Sequence, residues 1–133
     1  MNAVAKLRVE VSGQSAKAHL TIINSSSQDV YLEKYKVFDG GTVEGDLFEI
    51  TTEHHKITYI GKMVKRRTPI AADFLKLAPG AVYEITVDLS KVYEFPRGRH
   101  TYRVHYEALH AYLNDPDDFW ELRSDDVTFA MSR

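Results

Sequence analysis

Apolar and polar residues alternate along most of this 133-residue chain, and this period of two is the feature that most limits its fold. Successive side chains of a β-strand point to opposite faces of the sheet, so the alternation predicts strands that each bury one face. In one clear case, Leu7, Val9 and Val11 alternate with charged residues. The predicted strands cover residues 6–11, 17–22, 30–37, 47–52, 56–63, 74–77, 82–89, 100–109 and 127–131.

Turn signals separate these segments. Ser12-Gly13-Gln14, Ala78-Pro79-Gly80 and Pro96-Arg97-Gly98 contain residues that favour chain reversals, because proline presets φ and glycine tolerates a positive φ. The one helical candidate is Ala108–Leu113, or the acidic segment after it. The pattern therefore predicts a single all-β domain over residues 1–133, an antiparallel immunoglobulin-like sandwich of about seven to nine strands.

Charge and composition exclude several classes of function. The net charge of −2 and pI near 6.3 argue against a nucleic-acid-binding domain, which needs many cations to contact phosphates. There is no cysteine, so a disulfide framework, a thiolate metal site and a cysteine nucleophile are all excluded. No apolar run is long enough for a membrane span, and charges interrupt the first eleven residues. We expect a cytoplasmic protein, or an exported one if a leader has been removed.

Several ordered sequence segments carry a family resemblance. DLFEIT, YIGKMVKR, Thr68-Pro69, LAPGAVYEITVDLS, VYEF and YRVHY fall between about Leu20 and Tyr106, with a weaker match in LRSDDVTF at 122–129. Their order and spacing are similar to the N-terminal domain of deuterolysin-type metalloendopeptidases, the group that includes fungal peptidyl-Lys endopeptidases. The resemblance implies an immunoglobulin-like sandwich of the kind that precedes the zinc peptidase domain, a fold that bacterial intracellular proteinase inhibitors are thought to share.

The residues that catalysis would need are missing from the sequence. A zinc peptidase of this kind uses an HExxH helix, and the chain has no such spacing. It also lacks a GxSxG turn and a glycine-rich phosphate loop. We therefore expect a protein that is not an enzyme, with no catalytic residue, no cofactor and no metal site. The resemblance then implies the accessory domain without its peptidase.

Two polar groups leave alternatives open. Arg103, His105 and Glu107 share one face of a predicted strand, as either a polar binding strip or, the interpretation we prefer, an ordinary solvated face. The acidic residues of Asn114–Asp118 are either oxygen ligands for a cation or a solvated loop, and we prefer the loop because the ligand spacing of an EF-hand is missing.

Basic and acidic stretches supply the candidate partner-binding residues. Four cations fall within residues 62–67, before Pro69, and six acids fall within residues 115–126. Patches of opposite sign can steer a partner, and aromatic residues rimmed by charge make good interface anchors. The candidates are Lys65, Arg66, Arg67, Asp117, Asp118, Phe119 and Trp120. For Trp120 we prefer the alternative, a plug at one end of the sandwich, and for the basic stretch we prefer a structural role at the end of a strand that leads into a loop.

These observations predict a non-catalytic domain that binds another protein. The candidate roles are a protease inhibitor and a stand-alone peptidase accessory domain, with the loops at 39–46, 64–73 and 114–124 as contact surfaces. One alternative is a structural protein that self-associates through an exposed edge strand. Another is a small-ligand-binding protein that uses the face of Arg103, His105 and Glu107.

Overall fold

The computed structural model describes residues 3–53 and 55–133, and strands account for 58% of the chain. No helix in these ranges reaches seven residues, so the predicted all-β class is confirmed. None of the described helices has the length and apolar character needed to cross a membrane. The strands are β1 Ala3–Ser12, β2 Ser15–Asn24, β3 Val30–Glu33, β4 Phe48–Thr52, β5 His55–Lys56, β6 Thr58–Tyr59, β7 Phe74–Leu77, β8 Val82–Asp88, β9 Tyr93–Glu94, β10 Arg99–Tyr112, β11 Asp115–Arg123 and β12 Val127–Ser132.

The strands pair antiparallel in two larger sheets and two short ribbons. One sheet has the order β1-β2-β8. In the other, β10 is central: β4 lies on one of its edges, while β12 and then β11 pair with the other edge. The ribbons are β3-β7 and β6-β9. A parallel bridge between Ala5 and Ser124 brings β1 to the end of β11.

The core lies between the two larger sheets and follows the alternation in the sequence. On β2, Ala16, Ala18, Leu20 and Ile22 are fully buried or nearly so. The predicted inward face of β10 is confirmed, because Tyr102, Val104, Tyr106 and Ala108 are all buried. Aromatic rings dominate this face of the core, where Phe38, Phe48, Tyr93 and Tyr106 contact one another at centroid distances of 5.3–6.4 Å.

The helical candidate was wrong. β10 continues through Tyr112, and the acidic segment forms β11 after a turn at Leu113–Asn114. The β10–β11 ladder satisfies the backbone groups of both segments, and His110 and Ala111 are fully buried against it. Apolar residues on both faces of the end of β10 had hidden the period of two.

Two other predicted strands are shorter than expected. The segment 30–37 is strand only to Glu33, after which Lys34–Val37 forms a 3₁₀ turn that ends at Phe38 with φ 59°. Within the segment 56–63, strand structure is limited to Lys56, which ends β5, and to Thr58–Tyr59, which forms β6. Before it, Thr52 pairs with His55, which agrees with the hairpin turn expected at Glu53-His54-His55, although His54 lies outside the described residues.

Candidate functional site

The predicted basic loop belongs to an irregular segment, residues 60–70, between β6 and β7. The ring of Tyr59 lies over Gly61, and its hydroxyl donates a hydrogen bond to the Lys62 carbonyl. A Cβ atom at Gly61 would lie 2.6 Å from Tyr59 Oη, so only glycine leaves room for this ring. The strand ends at Tyr59, earlier than the alternation predicted.

Two of the three predicted basic residues are held by carboxylates. Arg66 Nη2 lies 2.8 Å from Glu44 Oε1, and Arg67 Nη2 lies 3.4 Å from Asp73 Oδ2. In the described ranges, Lys62 and Lys65 have no ion-pair partner within 4.0 Å. The arginines of the segment thus have carboxylate partners, while its lysines remain available to a partner.

Four side chains form a row that joins the basic segment to the acidic hairpin. The Arg66 guanidinium lies 4.4 Å above the Tyr35 ring. Lys36 Nζ lies 5.5 Å from the centroid of Tyr35 and 5.8 Å from that of Phe119. We call Arg66, Tyr35, Lys36 and Phe119 the Tyr35 row. It brings two groups of predicted residues to one side of the molecule, although the sequence assigned Tyr35 only to a strand.

A cleft of about 230 Å³ opens beside the Tyr35 row. It lies between the 39–46 and 64–73 loops, and its lining includes Tyr35, Asp39, Glu44, Arg66, Arg67 and Asp73. Pockets for drug-sized ligands usually occupy roughly 300–1,000 Å³. The size and mixed charge of this cleft suit one or two side chains of a protein better than a whole small molecule.

Exposed apolar side chains concentrate in the same segment. Ile60, Met63, Val64 and Ile70 are four of the nine large apolar residues that the described chain exposes. Met63 is the most exposed of them, at 74%. Scattered exposed apolar residues are normal on a protein surface, but a concentration beside basic residues is typical of an interaction surface.

The predicted acidic loop 114–124 is mostly strand β11. Tyr112 pairs with Asp115 and Ala111 pairs with Phe119, so residues 116–118 bulge out of the ladder. This bulge carries Asp117 and Asp118 into solvent. Phe119 is 49% exposed, as a partner-binding residue should be.

Trp120 was wrongly assigned to the partner-binding surface. It is only 7% exposed, and its ring stacks on His110 at a centroid distance of 5.2 Å. Adjacent residues of a strand point to opposite faces of the sheet. Because Phe119 points into solvent, Trp120 points into the core. The alternative, a plug in the sandwich, is the one that agrees with the structure.

A second polar group surrounds His105 on the outer face of β10. His105 pairs with Glu49 across the β4–β10 ladder, and Glu107 lies two residues further along the same face. His105 Nε2 is 3.5 Å from Glu49 Oε2 and 3.9 Å from Glu107 Oε1. On the other side of the ring, Nδ1 is 3.1 Å from Asp126 Oδ1. Three of these residues, Glu49, His105 and Glu107, each place one possible metal-ligand atom within 4.8 Å of the other two.

The preferred interpretation of this face as ordinary solvated surface was wrong for His105, which is only 7% exposed. The sequence found His105 and Glu107 because they are two residues apart in one strand. Glu49 and Asp126 were missed, because their proximity depends on strand pairing that a single sequence does not display.

No protein-family model matches the chain, and a search of curated proteins finds no match either. The resemblance to the peptidase-associated domain therefore stays a prediction. Function has to be argued from the two sites themselves.

Proposed function

We propose that this protein is a non-catalytic domain that binds a protein partner through residues 60–70 and the Tyr35 row. The observation that carries this proposal is the concentration of exposed apolar side chains beside two unpaired lysines. Interface centres favour aromatic residues, methionine and arginine, and this surface offers Tyr35, Phe119, Met63 and Arg66.

The way the segment is held also supports binding. The Ile60 amide donates to the Val92 carbonyl at 2.8 Å, and the Arg66 and Arg67 ion pairs hold the middle of the segment. A loop held in this way loses little conformational entropy when it binds. Protease inhibition requires such a preorganised loop and no catalytic residue.

The partner class that we propose is a peptidase, as a target of inhibition or as the enzyme that an accessory domain accompanies. This choice rests on the sequence resemblance. The surface adds a chemical requirement, since Lys62 and Lys65 favour a partner whose contact region is acidic with apolar residues between its charges. The cleft beside Tyr35 would receive one of those side chains.

The test is a panel of metallo- and serine peptidases, with binding kinetics and residual activity measured for each. We expect at least one peptidase to form a complex, with association that slows as salt is raised. Lys62→Glu with Lys65→Glu should slow association at low salt by about tenfold or more and remove most of its salt dependence. Lys6→Glu with Arg8→Glu, the same charge change on β1, is the matched control and should have a much smaller effect.

Two outcomes would overturn parts of this proposal. Absence of complex and of inhibition across the panel would remove the peptidase as partner. Equal slowing by the two double variants would show that net charge, and not the 60–70 segment, governs association.

Reversal of Lys65, Arg66 and Arg67 together should weaken binding further, because it also breaks the ion pairs of Arg66 and Arg67.

A second candidate function is self-association through β8. This seven-residue strand ends the β1-β2-β8 sheet, and six of its residues are at least partly exposed. An open edge of this length is a template for pairing with another copy. Light scattering over a concentration series should then show a dimer that dissociates on dilution, whereas a monomer at every concentration would exclude it.

A further inference from the structure

The outer face of β10 contains a buried imidazole nitrogen that lacks a hydrogen bond. His105 Nε2 is inaccessible to solvent and has no hydrogen-bond partner among the described residues. Buried polar atoms are nearly always satisfied, so an exception needs a physical explanation. This nitrogen is directed towards two carboxylates, Glu49 and Glu107, whose oxygens lie 3.5 and 3.9 Å away.

A simple ion pair explains these distances poorly. A charge-assisted hydrogen bond between an imidazolium and a carboxylate would draw the two atoms to about 2.7–2.9 Å. Nitrogen and oxygen ligands that share one zinc ion each lie about 2.0–2.2 Å from the metal, and tetrahedral geometry then separates them by about 3.3–3.6 Å. The observed separations are close to that range for Glu49 and slightly longer for Glu107.

The opposite side of the imidazole ring faces a third carboxylate. Asp126 Oδ1 lies 3.1 Å from His105 Nδ1, where a carboxylate favours the tautomer that carries its proton on Nδ1. That tautomer leaves the lone pair of Nε2 directed at Glu49 and Glu107. Histidine ligands of metals commonly donate a hydrogen bond from their second nitrogen to a carboxylate, and Asp126 places a carboxylate on that side of the ring.

The local charge also favours a cation. Three carboxylates, from Glu49, Glu107 and Asp126, surround the ring. Arg123 partly offsets them, with Nη1 3.4 Å from Glu107 Oε1 and Nη2 4.0 Å from Asp126 Oδ1. Arg103 lies on the same face of β10, two residues before His105. The three carboxylates and two arginines leave one net negative charge around the ring, which favours a cation.

We infer that Glu49, His105 and Glu107 bind a divalent metal ion of the zinc class. One nitrogen and two oxygens are ligands that zinc accepts, and water would complete the tetrahedron. The side chains of Glu49 and Glu107 are 48% and 43% exposed, so they can move aside to admit the ion. Asp126 is a positioning residue, and bound metal would link β4 and β10.

The test uses untagged protein that has been stripped with a chelator. Titration with zinc alone, followed by calorimetry, should show one equivalent bound, and cobalt should give the visible spectrum of a tetrahedral site. Glu49→Gln, Glu107→Gln and His105→Gln should each weaken binding by about 100-fold or more, whereas Asp126→Asn should weaken it by about tenfold. Circular dichroism checks that each variant is folded. If His105→Gln does not fold, Glu49→Gln still tests the inference, because the Glu49 side chain is exposed and its substitution should leave the fold intact.

The matched control is His19→Gln. His19 also contacts a carboxylate, with Nε2 3.1 Å from Glu10 Oε1, but its other nitrogen contacts the Thr86 hydroxyl, and no second carboxylate from the described residues converges on it. This variant should bind zinc as the wild type does.

Three outcomes would overturn the inference. They are no zinc binding at millimolar concentration, binding that Glu49→Gln leaves unchanged, and tighter binding of calcium or magnesium than of zinc. Because no protein partner is present in these titrations, their result is independent of the binding function proposed above.

Discussion

His105 and His110 lie on the same strand, and both are buried, but their surroundings differ completely. His110 Nδ1 accepts a hydrogen bond from the Glu33 amide at 3.1 Å, Nε2 lies 3.3 Å from the Tyr106 hydroxyl, and the ring stacks on Trp120. Every polar atom of that ring has a partner inside the protein. His105 has an unsatisfied nitrogen among carboxylates. Burial alone therefore does not separate a structural histidine from a binding histidine, whereas the completeness of the polar contacts does.

The surroundings of His110 form a closed polar network. Glu33 Oε2 accepts hydrogen bonds from Lys36 Nζ at 2.7 Å and from the Ala111 amide at 2.9 Å. Tyr106 Oη donates to the Lys36 carbonyl at 2.6 Å. Burial, with a smaller contribution from Lys36, lowers the pKa of His110 to about 3, so its ring is neutral at physiological pH. Both ring nitrogens of His110 are already engaged, so neither is free to bind a metal ion.

Substitution in the packed surroundings of His110 should have the largest effect. Trp120→Ala removes the ring that stacks on His110 and leaves a cavity, so we expect the free energy of unfolding to fall by about 3–5 kcal/mol. Phe119→Ala, one residue away on the exposed face, should lower it by less than about 1 kcal/mol. Urea unfolding measures both values. Similar losses for the two variants would contradict the assignment of Trp120 to the core.

The lowered pKa of His110 predicts a pH dependence of stability. The unfolded chain binds a proton at this residue below pH 6.5, but the folded protein does not until about pH 3. Stability from this group is therefore complete above pH 6.5 and is lost as the pH falls, by up to about 1.4 kcal/mol per pH unit.

His110→Asn keeps a hydrogen-bond acceptor near the position of Nδ1 but does not titrate. Urea unfolding between about pH 5 and 6.5, above the range in which most carboxylates titrate, should give a shallower slope for this variant than for the wild type. An unchanged slope in His110→Asn would mean that His110 is protonated in the folded protein.

The smallest effect is expected beside His105. Without metal, Glu49→Gln should change the free energy of unfolding by no more than about 0.5 kcal/mol, because the side chain is nearly half exposed. With excess zinc, the wild type should become more stable and the variant should not. If Glu49→Gln instead lost much of its free energy of unfolding in the presence of a chelator, Glu49 would be a structural partner of His105. The contrast between the two histidines would then disappear.

The regular parts of the fold were predictable because burial on one face imposes a local pattern. The inward residues of β2 and β10 follow that pattern. The turn after β1 was predictable from Gly13, which tolerates a positive φ. β11 was not predictable, because Asp117 and Asp118 lie in a bulge and its partner β10 has apolar residues on both faces near Tyr112. The early end of β6 was also missed, since its only ladder is with the two-residue β9, and that pairing is not visible in a single sequence.

The candidate sites were predictable only where their residues are close in the sequence. The basic segment 62–67 and the pair His105 and Glu107 were found for that reason. The Tyr35 row was missed, because the 3₁₀ turn at Lys34–Val37 sets the direction of Tyr35 and Lys36. The approach of Glu49 and Asp126 to His105 was missed as well, because it depends on which strands pair with each edge of β10.

The position of β10 also has a consequence for folding kinetics. Its hairpin with β11 closes a short loop, whereas its pairing with β4 brings together segments separated by five intervening strands. Long-range pairing requires loop-closure entropy to be lost before the contacts form, so it is the slower event. Glu49 meets His105 only when β4 has joined the sheet. We therefore expect the group formed by Glu49, His105 and Glu107 to be completed late in folding. A metal ion that binds this group would report the fraction of molecules in which β4 has paired with β10.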